Sequence, residues 1–444
     1  MAVCLSSCHV YKSYERPAVN VADSLFRTGI STADTTGIAS LSWREMFRDP
    51  ELQKLIERGL AGNADLNIAA LRVSEAEARL TSSKLAFLPS LSITPQGTVN
   101  KSEGESSTRS FSIAASSQWE IDASGRLLSK KRGAAADVLQ AEAYRQAVQT
   151  KLVAAIADSY YTLLMLDEQA GIARSTAESW RECVRVMKGL MKAGEADQLA
   201  VSQSEASLYA VEASAVSIAQ QINEVENSLS TLLGMPAQTI RRTTLGEQHF
   251  PDSMATGVPL QMLANRPDIR SSEMNLASAF YATETARAAF YPAVTLSGSA
   301  GWTNTATGRI SNPADWLFSA IGGIVQPLFN RGTNMANLKV AEARQKEALI
   351  SFQQSILDAG REVNDALVQW QSATKRMALD EQQTQALGNA LRSAQLKMQH
   401  GSDNYLSVLT AQQSLLRARM DTAADKFDKI QGVISLYHAL GGGL

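Results

Sequence analysis

The chain has 444 residues, 45% of them hydrophobic, and only 11 prolines, which leave long stretches with none. A charged fraction of 19% and a formal net charge of −2 exclude a basic nucleic-acid footprint and an acidic disordered tail, so no nucleic-acid partner is expected. No uninterrupted apolar run approaches the roughly 18 residues of a transmembrane helix, so any membrane crossing is expected to be made by β-strands.

The amino terminus contains Leu5-Ser6-Ser7-Cys8, a fit to the lipobox after which a bacterial lipoprotein is cleaved, leaving Cys8 as a lipid-bearing first residue. Too few residues precede Leu5 for the basic and apolar regions of a signal peptide, so residues 1–7 read as the remnant of a longer leader. The stretch 8–48, rich in Thr, Ser, Ala and Gly, reads as an extended, lipidated arm.

A first repeat is expected over 49–240. Its opening helix has proline in the first turn, Asp49-Pro50-Glu51, and leaves through Phe87-Leu88-Pro89. Strands follow over about 90–121, where Leu91, Ile93, Val99, Phe111 and Ile113 alternate with small polar residues. No proline lies between Pro95 and Pro236, and a helical hairpin is expected over about 126–234. Its first helix, from about Arg126 to Lys192, carries Val148, Leu152, Ala155, Ile156, Ser159, Tyr160 and Leu163 three and four apart. Such a helix would be about 100 Å long at about 1.5 Å per residue. The run Ala193-Gly194-Glu195-Ala196-Asp197 breaks it and makes an exposed tip.

After a linker over 241–258, a second repeat is expected over 259–444. Arg266-Pro267-Asp268 opens its short helix, Phe290-Tyr291-Pro292 closes it, and strands lie over about 293–327, with Val294, Leu296, Trp302, Trp316 and Phe318. A hairpin over about 335–440 turns at His400-Gly401-Ser402-Asp403-Asn404 into a return helix from Tyr405. Ala86–Ile93 matches Ala289–Leu296 at an offset of 203, and Gly194, Leu199 and Leu208 match Gly401, Leu406 and Leu415 at 207. Two matches in one order at nearly one offset mark an internal duplication.

The alternation in the strands suits either a membrane strand or a soluble sheet with one wet face. Four strands cannot close a barrel, and an open sheet in lipid leaves its edges unpaired, so the strands are expected to be shared between subunits. Three copies of four give twelve.

The residues resemble the TolC family of outer-membrane efflux channels, and within it the OprM-like lipoprotein branch. The motifs that carry the resemblance are Leu263-Ala264-Asn265-Arg266-Pro267-Asp268-Ile269-Arg270 with Glu273, then Phe290-Tyr291-Pro292, Trp119-Glu120-Ile121-Asp122 with Gly125-Arg126, and Gly401-Ser402-Asp403-Asn404-Tyr405-Leu406. The likeness runs from Cys8 to the carboxyl terminus. It implies an α+β membrane protein with a TolC-like fold. In such a fold a homotrimer forms a 12-stranded β-barrel in the outer membrane and a helical barrel in the periplasm. It further implies a passive exit duct of a tripartite efflux pump, partnered by a periplasmic adaptor and by an inner-membrane pump of the resistance-nodulation-division type. Outer-membrane lipid would hold a palmitoylated Cys8.

Carried over by position, Leu406 falls at the branch's apolar gate and Thr410 where a gate aspartate stands. The neutral threonine departs from the family's pattern and leaves Asp403 as a displaced carboxylate, with Tyr405 in the same closing ring. Gly194, Glu195, Asp197, Gly401, Ser402 and Asn404 are the tip residues that the resemblance assigns to adaptor docking. Plainer readings stand beside these: Asp403, Asn404 and Tyr405 as a helix cap, Arg266-Pro267-Asp268 as a helix start, and Trp302 and Trp316 as either a bilayer-interface belt or loop packing.

A periplasmic coiled-coil scaffold is the competing class, but adaptors have one hairpin flanked by compact β-domains, whereas two hairpins are legible here. The cysteines Cys4, Cys8 and Cys183 and the histidines His9, His249, His400 and His438 lack metal-site spacing. No dinucleotide, phosphate-loop, nucleophile-elbow or HExxH motif occurs, so neither catalysis nor a cofactor is expected.

Overall fold

Helix starts fall where the sequence offers side-chain caps. The computed structural model describes residues 12–17, 41–101, 103–104, 108–248, 250, 266–304, 315–400 and 405–442. Ser42 and Glu45 form a capping box over α1 (Trp43–Met46). Asp49 caps α2 (Pro50–Gly62) by accepting from the Glu51 and Leu52 amides, and Pro50 takes the first helical position, where an N–H would have no partner. Where one helix was expected between Pro50 and Phe87 there are two, α2 and α3 (Ala64–Leu85), parted at Asn63. The break is made by the end of the first hairpin. Asn63 donates from Nδ2 to the Leu232 carbonyl at 3.0 Å and accepts at Oδ1 from the Leu66 amide at 3.0 Å. A Cβ on Gly62 would lie 2.7 Å from the Leu233 oxygen, and Gly234, at φ +67°, closes on the Gly62 backbone. Only glycines permit that crossing.

Strands β1 (Ser90–Asn100), β2 (Thr108–Ile121), β3 (Ala293–Asn304) and β4 (Asp315–Val325) form one antiparallel sheet in chain order. The strand pairs of the two repeats are joined through β2 and β3, with Ile113 opposite Trp302 and Trp119 opposite Leu296. Gly301 permits this join, because a Cβ there would collide with the Ile113 carbonyl and the Ala114 Cα.

The first hairpin consists of α4 (Arg126–Lys192) and α5 (Gln198–Leu232). The Trp119–Arg126 motif sets its start: Trp119 Nε1 donates to the Phe87 carbonyl at 2.9 Å, Glu120 pairs with Arg126, and Asp122 accepts from the Leu127 and Leu128 amides at 3.0 and 2.8 Å. After a 3-10 turn at Leu245–Glu247 and the short helix α6 (Pro267–Ala288) come β3 and β4. The second hairpin is then formed by α7 (Thr333–Gln399) and α8 (Tyr405–Ala439). The long helices α4 and α7 have 67 residues each, and the return helices α5 and α8 have 35 each, so the duplication extends to element lengths.

Two compact units emerge. One contains 70–144 and 268–355, including the sheet, and also the segment 12–17, where the Tyr14 amide donates to the Tyr281 hydroxyl at 3.3 Å and Arg16 pairs with Glu273 at 3.5 Å. The other contains, among its described residues, 41–69, 145–248, 250, 266–267, 356–400 and 405–442. Its core gathers Leu166, Ala173, Ala177 and Trp180 of α4, Leu208, Val211 and Ile218 of α5, and Leu409 of α8. Asp49 ties this unit together, accepting from Tyr160 at 2.7 Å and Gln248 at 3.0 Å as well as from Thr243. Arg266, buried beside the α6 start, donates to the Ala439 carbonyl at 2.8 Å and to Glu362 at 2.7 Å, so it fastens the last turn of α8.

Candidate functional site

Directly opposed residues of an antiparallel sheet share a face, so the register sorts all four strands at once. On one face lie Leu91, Ile93 and Val99 of β1, Phe111, Ile113, Trp119 and Ile121 of β2, Val294, Leu296 and Trp302 of β3, and Trp316, Phe318 and Ile324 of β4. The other face carries Ser90, Ser92, Thr94, Gln96 and Thr98, then Ser110, Ser112, Ser116 and Gln118, then Thr295, Ser297, Ser299 and Thr303, with Ser319 on β4. Strands β2 and β4 depart from this division: β2 places Arg109 and Ser117 on the apolar side, opposite Val99 and Leu91, and β4 places Leu317, Ile321 and Val325 on the hydroxyl-rich side. Ser92 and Ser116 meet there, oxygen to oxygen, at 2.8 Å.

The apolar face is bare. Leu91 is 77% exposed, Phe318 75% and Ile324 73%, and every residue of β1 is exposed. A soluble sheet covers such a face with another layer. Aromatic rings gather at the β3–β4 loop end, where Trp302 meets Trp316 edge-on at 5.2 Å and Trp316 stacks on Phe318 at 5.9 Å; Trp119 lies at the opposite end of β2. Among the described residues, the outer edges of β1 and β4 have no partner strand. No helix of the described residues is long and apolar enough to cross a membrane.

At the first hairpin tip, Gly194 ends α4 in the left-handed conformation, at φ +81°, with its amide on Met191 and the Glu195 amide on the Leu190 carbonyl at 2.9 Å. Asp197 caps α5 through the Ala200 amide at 2.9 Å, while the Glu195 side chain is exposed. At the second tip, Gly401, Ser402, Asp403 and Asn404 lie outside the described residues, as does Cys8.

Of the expected gate group, Tyr405 is placed against the first hairpin: its hydroxyl donates to Gln203 Oε1 at 2.6 Å. Leu406 is 51% exposed. The Thr410 hydroxyl turns back on its own helix, donating to the Leu406 carbonyl at 2.9 Å. Beneath Tyr405 pack Met187, Ala200 and Val201, with Cys183 and Met398 beside them. Burial pushes the Cys183 thiol up, so it stays protonated as a packing group beside Ser204.

Sequence reasoning missed the partners. Gln203, Ser207 (from Gln413, 3.1 Å), Glu168 (from Lys426, 3.0 Å) and Asp158 (from Gln431, 2.8 Å) tie α8 to the first hairpin along its length. The signal available was faint: polar residues within an otherwise small and apolar helical seam, with partners more than two hundred residues away.

Residues 55–235 and 258–442 match the family described as outer membrane efflux protein. The chain belongs to that family. It is 30% identical over 452 residues to the cation efflux system protein CusC of Escherichia coli, an alignment covering 100% of this chain and 97% of the relative. It is also 30% identical to the pyoverdine export outer membrane protein OpmQ of Pseudomonas putida, over 90% of this chain and 88% of the relative. Among solved structures, the outer-membrane channel OprN superposes with a TM-score of 0.87 at 27% identity, over 98% of this chain and 99% of that one. The open state of the Neisseria gonorrhoeae MtrE channel gives 0.88 at 27%, over 98% of each. The fold is that of a TolC-like outer-membrane efflux channel.

Proposed function

We propose that the protein is the outer-membrane exit duct of a tripartite efflux pump and conducts small molecules passively. The observation that carries this reading is the two-faced sheet, whose bare apolar face suits lipid, whose hydroxyl face suits a wet lumen, and whose unpaired edges call for further strands. Three copies closing edge to edge would satisfy both edges and leave a lumen wider than a filled eight-stranded core. On this reading the bands at Trp302, Trp316 and Trp119 mark the membrane interfaces.

A periplasmic adaptor would meet the hairpin tips, where Glu195 is free to make contact while Gly194 and Asp197 shape the turn. An inner-membrane pump of the resistance-nodulation-division type would supply the energy. Relatives of this chain are named for cation efflux, pyoverdine export and toluene efflux, cargoes of very different chemistry. One fold serving all three supports a duct that accepts what its pump delivers. A lipid on Cys8 is supported by the relative SilC of Salmonella typhimurium, named a probable outer membrane lipoprotein, 27% identical over 97% of this chain and 94% of the relative.

In the gate reading, Leu406 narrows the periplasmic end by apolar contact, and the Tyr405–Gln203 hydrogen bond latches α8 to the first hairpin. Reconstitution into planar bilayers tests the function: discrete conductance steps are expected, enlarged by Leu406→Ala. Intact complexes that give no step, in wild type and variant alike, would refute the duct.

A further inference from the structure

In the second hairpin α7 and α8 run antiparallel. Gln369 meets Gln431 at 2.8 Å, and further along α7 Thr384 meets Thr422 at 3.4 Å. Gly432 lets α8 approach Trp370 so closely that a Cβ would lie 2.9 Å from its amide nitrogen. Between these levels the charges do not balance. Arg376 of α7 is committed to two carboxylates of α8, donating to Asp425 at 2.6 Å and to Asp428 at 2.7 Å. One turn along α7, Asp380 faces the same Asp425, within hydrogen-bonding reach, with Asp421 close by. The Asp380 Oδ2 is shut away from solvent and has no donor. The Asp425 side chain is itself only 13% exposed.

Two carboxylates so placed, with their arginine already shared, repel each other unless one carries a proton; that proton then makes a carboxyl–carboxylate hydrogen bond. Arg376 relieves Asp380 only in part, its own donors being divided between Asp425 and Asp428. Lys426, on α8, turns to Glu168 of α4, and Lys429 lines a separate cleft beside Met377.

We propose that Asp380 and Asp425 form a proton-sharing clasp across the second hairpin, fastened in acid and loosened when the proton leaves. Burial first, and the Asp425 carboxylate second, hold the Asp380 carboxyl up at about 6, against an ordinary value of 3.8. The folded group therefore keeps its proton where the unfolded one has lost it. The clasp contributes in full below about pH 4, and its contribution is lost as the pH rises through about 6. Because α8 also bears Tyr405 and Leu406, the clasp would brace the helix of the proposed gate. That use, though not the clasp itself, rests on the function proposed above.

Hydrogen–deuterium exchange on the intact, detergent-solubilised protein tests it, read on peptides spanning Asp380 and Asp425 and corrected for intrinsic rates. The wild type should be several-fold more protected at about pH 5 than at about pH 7.5, and at most roughly tenfold, since the pair is partly screened by solvent. Asp380→Asn, whose amide donates to Asp425 as the protonated carboxyl does, should show the acid level of protection at both. Equal protection of the wild type at the two pH values, or an Asp380→Asn protein that keeps the wild-type dependence, would overturn the clasp. Infrared difference spectroscopy of the wild type gives a second reading without relying on the variant's folding. A protonated-carboxyl band titrating near pH 6 supports the clasp, and no such band overturns it. Protection that responds to pH in a protein that forms no pore would uphold the clasp and overturn the duct.

Discussion

Asp49 illustrates how one side chain serves several elements. It caps α2 and also receives Tyr160, Thr243 and Gln248. Burial alone would raise its carboxyl, but the hydrogen bonds from Thr243, Tyr160, the Glu51 amide and Gln248 outweigh it and hold the group below its usual value. Its stabilisation is therefore present above the ordinary carboxylate range and lost as the pH falls below it. Asp49→Ala removes a cap and three side-chain partners, and thermal unfolding should show a loss of about 2–4 kcal/mol; an unchanged midpoint would contradict this network. The residues of the proposed gate yield a second expectation. Tyr405→Phe deletes the donor to Gln203, a net loss of about 1 kcal/mol, and should raise resting conductance. Thr410→Val should change conductance little, because its hydroxyl serves its own helix. Leu406 could be picked out in the sequence by its place in a repeated tip, Gly194 to Leu199 against Gly401 to Leu406. Gln203 could not, since nothing local in a helical seam reveals which glutamine meets a tyrosine two hundred residues on.

At the scale of elements, the strands were legible as alternation, but their environment was not. Alternation is the same for a lipid-facing strand and for a half-wet one; only the pairing register shows Leu91, Ile113, Trp302 and Trp316 sharing a single uncovered face. Ile93→Arg should therefore cost about 2–4 kcal/mol in the bilayer and reduce recovery of folded protein from the outer membrane, whereas Thr94→Arg, on the opposite face, should be tolerated. Equal recovery of the two variants would remove the lipid face. The long helices were legible because proline is absent and small apolar residues recur every three or four positions. The division of α2 from α3 was hidden, for it depends on Asn63 and Gly62 meeting the far end of α5. Gly234→Ala combines an unfavourable φ with a collision at the Gly62 carbonyl, and should destabilise by on the order of 1–3 kcal/mol in thermal melts.

For the whole molecule, duplication governs the architecture. Each repeat supplies two strands, a 67-residue helix and a 35-residue return, and neither repeat alone makes a sheet wider than one hairpin. Among the described residues even the joined sheet stays open, with β1 and β4 at its edges. Backbone groups left unpaired in hydrocarbon cost several kcal/mol each, so a lone chain has no stable membrane form, and the missing pairing has to come from further copies. The sequence made the duplication visible through its two offsets, while the proposed number of copies rests on closure geometry and on the family resemblance rather than on any residue. Native mass spectrometry of the complex extracted gently from the outer membrane tests this most directly. The expected result is a folded species of three chain masses, with no folded monomer at any detergent-stable concentration; a folded, membrane-inserted monomer would contradict the shared-barrel account.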